Sequence, residues 1–210
     1  MTTISVCMVV RNESLRIRDA LDNVRPWVHE IVLVDQDSDD DTLAQAEPFG
    51  PVVIHETYKG YCEPDRRKAA DAAHGDWILV QDADEVFTDQ FLKELDLLVS
   101  SPYVDCYRLL RHTKVAGMPP FDEYQMRLYR RGKAEYSDHV HTEPIARGNV
   151  YNLDYTCIYH HKTLWEQLVD EKRMEAILDS QYANDPAYAA MKRLNFVTHP
   201  ERGFIFEATP

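Results

Sequence analysis

The sequence is short of glycine, of basic charge and of closely spaced cysteine, and each shortage removes a class of function. Seven glycines are spread over 210 residues. None falls in VVRNES, the stretch that follows the first apolar run. A nucleotidyltransferase would need a glycine-rich phosphate loop there. Lys and Arg number 23 against 36 Asp and Glu, for a formal net charge of −13. Such a surface repels nucleic acid and anionic lipid, so neither is a default partner. A nucleotide would be repelled too, unless a metal or a local basic cluster intervened. The four cysteines, at 7, 62, 106 and 157, contain no CxxC metal knuckle or redox pair. Cys7 and Cys106 lie in apolar runs and read as small core residues, which points to a reducing, cytoplasmic setting. No apolar run is long enough to span a bilayer, which leaves contact at the membrane periphery as the membrane role still open. The opening MTTISVCMVV has neither a basic leader nor a small-residue cleavage site and reads as a first strand.

What is present is an alternation of short apolar runs with helical patterns. ISVCMVV (4–10), IVLVD (31–35), VVI (52–54) and WILVQ (77–81) read as buried strands. Between them lie a helix capped by Asn12, with apolar positions at Leu15, Ile17, Ala20, Leu21 and Val24, and a short helix from Thr42. A third, opened by Pro64, covers 65–73 and is stopped by Gly75. An amphipathic helix follows over Phe91–Val99. This order predicts an α/β fold with a mostly parallel, Rossmann-like sheet flanked by helices. From about residue 102 the character changes. Stretches 103–111, 124–131 and 152–161 read as strands of a smaller mixed β region. Thr163-Leu-Trp-Glu166 matches a capping box opening a helix to about Ala183, and Asp185-Pro186 opens another. We read one domain over 1–210: a nucleotide-binding half (1–101), an acceptor-side β region (102–162) and C-terminal helices (163–210). The Gly117-Met-Pro-Pro loop is the expected mobile element.

The stretch GDWILVQDADE (75–85) carries the chemistry. An apolar strand runs straight into Asp82, Asp84 and Glu85. Ligands of parallel sheets collect at the carboxyl ends of strands, and residues i and i+2 of an extended chain share a face. Asp82 and Asp84 are therefore expected to look into one crevice, where two carboxylates call for a hard cation such as Mg²⁺ or Mn²⁺. Other readings are tested by spacing. Asp35, Asp37 and Asp39 mimic a calcium loop, but Asp40 and Ala46 stand where its Gly and Glu belong. VQDADEV mimics an aspartyl-phosphate hydrolase with Asp82 as nucleophile, although that motif normally closes the first strand and here closes the fourth. A non-catalytic nucleotide-sugar-binding domain is the third alternative.

MVVRNES, LVDQDSDDDT, DRRKAADAAHGDWILVQDADE and YQMRLYRRGKAEYSDHVH, in that order, resemble the family 2 glycosyltransferases over roughly residues 4–165. The flavour is closest to the lipopolysaccharide-core subgroup. The resemblance implies the A-type nucleotide-sugar fold and inverting, metal-dependent transfer of a hexosyl group, from a donor expected to be UDP-linked, to a glycan, lipid-linked or protein acceptor. It also implies roles. Val10, Asn12 and Glu13 border the base pocket, and Asp35 contacts the uridine. Gln36 replaces the family's usual Asp or Thr, and Asp37 its Gly. Arg66 faces the diphosphate; Asp82 and Ala83 adjoin the donor. Asp84 binds Mn²⁺ or Mg²⁺, with His141 as a further ligand, although Thr142 separates it from Glu143. His160 and His161 are expected on the acceptor side. Glu123, with Asp122 as substitute, is the expected general base, delivered by the loop before a strand.

Overall fold

The computed structural model describes residues 2–137 and 143–184, together with the strands Val197–His199 and Gly203–Ile205. Four strands, β1 (Ile4–Val10), β2 (Glu30–Gln36), β3 (Val52–Glu56) and β4 (Trp77–Val80), pair in parallel in the order β3-β2-β1-β4. β1 shows why these runs are strands. Ile4, Val6, Met8 and Val10 pack into one apolar layer and Cys7 into the opposite one, so both faces are buried and the run is continuously apolar. α1 (Ile17–Val24) and α4 (Asp89–Ser100) cover the first layer, and α3 (Glu63–Ala72) covers the second through Ala69. The short α2 (Thr42–Ala46) links β2 to β3.

The sheet continues past β4 with β7 (Phe121–Arg130), β6 (Cys106–Val115), β10 (Val150–Lys162) and β5 (Glu85–Phe87), making eight strands. β4–β7, β7–β6 and β10–β5 are antiparallel, but β6 and β10 are parallel. β8 (Ala134–Glu135) and β9 (Ile145–Ala146) form a separate small pair. The architecture is thus α/β with a large central sheet flanked by helices. Gly75 ends the approach to β4 for a steric reason. Its amide donates to Ser5 Oγ at 2.8 Å, and a Cβ there would lie 2.6 Å from the Ser5 nitrogen.

Several readings are corrected. Asn12 does not cap α1: its φ is 54°, outside the extended region an N-cap needs, and the helix starts at Ile17 without a side-chain cap. Leu15 consequently lies outside the helix and is 93% exposed. The Thr163–Glu166 capping box is present and opens α5 (Leu164–Gln181). Beyond it the described backbone pairs β11 (Val197–His199) with β12 (Gly203–Ile205) antiparallel, where only helix was expected. The helix start at Asp185-Pro186 falls outside the described residues.

Candidate active site

The carboxyl ends of β1, β2 and β4 meet at one edge of the sheet. At the end of β2, Asp35 is 3% exposed. Its Oδ2 accepts from the Ser38 amide at 3.3 Å and lies 3.7 Å from His55 Nδ1. Its Oδ1 is buried with no hydrogen-bond partner among the described residues. Gln36 points elsewhere, donating Nε2 to Asp65 and to the Tyr61 carbonyl, so it fastens the β3–α3 loop. Asp37 takes φ 54°, the left-handed conformation a Gly would adopt, and its Oδ2 accepts from the Tyr58 amide. From the loop after β1, beyond Val10, Arg11 donates to the Gln36 and Asp37 carbonyls and lies 4.0 Å over the Tyr58 ring. Asn12 exchanges two hydrogen bonds with Asp39, at 2.7 and 2.9 Å. Glu13 donates its amide to Thr42 Oγ1. Burial, then the negative charge of Asp84, raises the Glu13 carboxyl to about 7 against the pull of Arg16.

The two aspartates of the motif do not lie on extended strand, although both act on Glu13. β4 ends at Val80, and the chain turns over 82–85, with the Glu85 amide donating to the Asp82 carbonyl at 3.1 Å. The i, i+2 argument needs extended backbone, which the turn at Ala83 and Asp84 removes. Each acid takes its own partners. Asp82 accepts from Arg66 Nη2 through Oδ1 and from Arg127 Nη2 through Oδ2, both at 2.7 Å. Burial acts to raise its pKa, but the Arg127 and Arg66 guanidiniums outweigh it and hold the carboxyl well below the usual range. Arg66, at the start of α3 as expected, keeps a second nitrogen, Nη1, buried without a partner among the described residues. Arg127 in turn meets Glu85, and Arg111 joins Glu85 to Glu123.

Asp84 Oδ2 lies 3.0 Å from His160 Nε2, and His160 Nδ1 lies 3.2 Å from Thr113 Oγ1. Burial again acts upward on Asp84, and the hydrogen bond and charge of His160 outweigh it to hold the carboxyl well below its ordinary value. His160 is 1% exposed, and its position opposite Glu85 on the β5–β10 pair brings it to Asp84. A carboxylate and an imidazole converging on one point, the imidazole oriented through its other nitrogen, suit a divalent ion. Among the described residues no group of three or more His, Cys, Asp and Glu comes together to hold a metal, so donor oxygens or water would complete the shell. His141 lies outside the described residues.

Asp122 and Glu123 are not on a loop. They are the second and third residues of β7 and point to opposite faces. Asp122 is largely exposed and bonds His112 at 2.7 Å. Glu123 stands directly opposite Arg111, which grips it through Nε at 3.0 Å and through Nη2. A cavity of about 410 Å³ adjoins Ala83 and Asp84 and is walled by Arg16, Val86, Tyr159 and His161. Sequence reasoning missed Glu85, Arg111 and Arg127 as site residues. The only available signal was spacing: Glu123 and Arg127 are four apart on one strand and so share a face.

Comparison with known proteins agrees with this geometry. The model of glycosyl transferase family 2 matches residues 5–143. An uncharacterized glycosyltransferase of Rickettsia felis is 29% identical over 93% of this chain and 74% of its own length. A TPR repeat-containing protein of Synechococcus elongatus is 34% identical over 62% of this chain and 32% of its own length. Among solved structures, residues 1–349 of S. aureus TarS in complex with UDP-GlcNAc superpose with a TM-score of 0.63 at 14% identity, covering 92% of this chain and 76% of that one.

Proposed function

Because the chain belongs to glycosyl transferase family 2 and is a glycosyltransferase, we propose that it moves a sugar, with inversion, from a UDP-linked donor to an acceptor hydroxyl with the help of Mn²⁺ or Mg²⁺. The observation that carries the reading is the Asp84–His160 pair, set beside an arginine with an unpartnered buried N–H at the carboxyl edge of the sheet. Arg66 binds the diphosphate through that nitrogen. Asp35 Oδ1, the unpartnered buried acceptor, takes an N–H from the base, a group uracil presents. Asp84 and His160 would hold the divalent ion, which supplies Lewis-acid neutralisation of the departing nucleoside diphosphate. Glu123 removes the acceptor proton, and Arg111 holds its carboxylate oriented. Asp122 is the lesser candidate, since it faces the other way.

Asp82 spends both oxygens on arginines, which opposes the nucleophile role that a hydrolase would give it. A glycan acceptor of the lipopolysaccharide-core kind is the finer expectation, supported by the order of the sequence motifs. No described helix is long and apolar enough to cross a membrane. The cysteine pattern is what supports the cytoplasm, with the membrane periphery as the other setting proposed. The experiment is a screen of UDP-, GDP- and CDP-sugars for nucleotide release with and without Mn²⁺. Metal-dependent release from UDP-sugars is expected. Release of phosphate from simple phosphoesters, or metal-independent UDP binding without turnover, would sink the reading.

A further inference from the structure

Glu85 has no exposed surface, and the mechanism above gives it no task. Its Oε1 accepts from Arg111 Nη1 at 2.9 Å and from Arg127 Nη2 at 2.6 Å, and its Oε2 accepts from the Asp82 amide at 3.1 Å. Followed outward, Arg127 reaches Asp82 and Asp82 reaches Arg66, while Arg111 reaches Glu123. Six side chains of alternating charge therefore run unbroken from the donor-side arginine to the acceptor-side acid, with Glu85 near the middle. The Glu85 backbone is fixed as well. Its carbonyl accepts from Gln81 Nε2 at 3.0 Å, and Asn23 clamps both polar atoms of the Phe87 backbone two residues on, at 3.0 and 2.9 Å.

We infer that Glu85 is a positioning residue: through Arg127 and Arg111 it sets the placement of Asp82 and of Glu123 together, so that the two halves of the site are held as one piece. The inference rests on the reading of Glu123 as base. Stability alone is a poor account of such a chain, because buried ion networks are commonly replaced by apolar side chains at no loss. Geometry is a better one. Each guanidinium is a rigid fork that spans two carboxylates, and Arg111 and Glu123 stand opposite each other in the β6–β7 register. A neutral residue at 85 leaves Arg111 and Arg127 without their shared anchor and frees Glu123 to shift. Reacting groups misplaced by about 1 Å lose on the order of 100-fold in rate.

The test compares Glu85→Gln, Arg111→Lys and the double variant with the wild type. UDP affinity is measured by calorimetry with Mn²⁺, and kcat from UDP release from UDP-glucose, or from UDP-N-acetylglucosamine where the wild type does not turn over UDP-glucose. We expect each single change to lower kcat about 10- to 100-fold and UDP affinity by a clearly smaller factor, since Arg66 keeps its own bond to Asp82. The double variant should lie within about threefold of the worse single one, as for residues acting through one another. Arg111→Lys keeps the buried charge but cannot span both acids, so it carries the same comparison should Glu85→Gln fail to fold. Wild-type kcat in either single variant, UDP affinity falling as far as kcat, or losses that multiply in the double variant would each overturn the inference. Glu123→Gln is assayed alongside. If it turns over at the wild-type rate the base reading fails by itself, and coupling between 85 and 111 is then judged by the double variant alone.

Discussion

Replacing Arg66 with alanine should weaken UDP far more than uridine. The Arg66 side chain is only 13% exposed; its Nη2 is bound to Asp82 and its Nη1 is buried without a partner among the described residues. A diphosphate oxygen meeting that nitrogen would form a charge-assisted hydrogen bond worth roughly 1.5–3 kcal/mol, which is about a 10- to 150-fold change in Kd. The loss should fall at the upper end, because Asp82 then keeps Arg127 alone and turns more negative charge toward the phosphates. Uridine lacks those oxygens and should change by less than about threefold, the size of an unrelated surface substitution. Arg66→Lys separates charge from shape: it should recover part of the UDP affinity, since an ammonium cannot hold Asp82 and the phosphate in one plane. Isothermal calorimetry with UDP, UMP and uridine at fixed Mn²⁺ and salt measures all of this. Equal losses for uridine and UDP would show that Arg66 shapes the pocket generally, and the assignment would be abandoned.

The other expectations follow from neighbouring contacts. Asp84→Asn and His160→Ala should each abolish the enhancement of UDP binding by Mn²⁺ while leaving the melting temperature within a few degrees; retained metal dependence in both would move the ion elsewhere. Glu123→Gln should lower turnover by about 10²–10⁴-fold with UDP affinity nearly unchanged, and a rate close to wild type would pass the role to Asp122. Asp65 is fully buried; burial acts to raise its carboxyl, but Lys59, Gln36 and Lys68 outweigh it and hold it below its ordinary value. A depressed carboxyl stabilises the fold above the unfolded value of about 3.9 and loses that contribution as pH falls through the folded one. Urea midpoints should therefore drop on acidification below about pH 4 more steeply in the wild type than in Asp65→Asn, and parallel curves would remove Asp65 from the account.

The parallel half of the fold was readable because its strands are buried on both faces and so appear as unbroken apolar runs; β1 and the core of β2 and β4 lie where those runs lie. The mixed half was readable as strands but not as a topology. β6 and β7 are joined by a short turn and pair as neighbours should, whereas the parallel pairing of β6 with β10 and the three-residue β5 depend on contacts more than forty residues apart, which no local pattern records. The role of His160 was hidden for the same reason: only the β5–β10 pairing sets it beside Asp84. Arg111 and Arg127 were missed because an arginine within a strand does not declare whether it faces water or a buried acid. Asn12 was misread because its residue type fits a helix cap and a left-handed turn equally well, and the partner that decides, Asp39, comes from another loop.

Charge gives the proposed function a reason to call on a cation. The chain is strongly acidic overall, and its conspicuous arginines do not supply a surplus at the site: Arg66, Arg111 and Arg127 are matched by Asp82, Glu85 and Glu123. Those six charges cancel. What remains nearby is Asp84, whose histidine partner carries a charge only when protonated and which also feels Lys162, and Glu13, paired with Arg16, whose carboxyl is pushed up to about 7 first by burial and then by the repulsion of Asp84. Burial is the larger part of that upward push, and the repulsion of Asp84 adds to it. One unpartnered guanidinium nitrogen on Arg66 can orient such a ligand, but it adds no net positive charge, because its own charge is already balanced by Asp82. On the proposed reading, a divalent ion held by Asp84 and His160 would change the sum by two and favour an anion beside it. On that reading the arginines hold the acids in place, and the cation would be the group that lets an acidic protein accept an anionic donor.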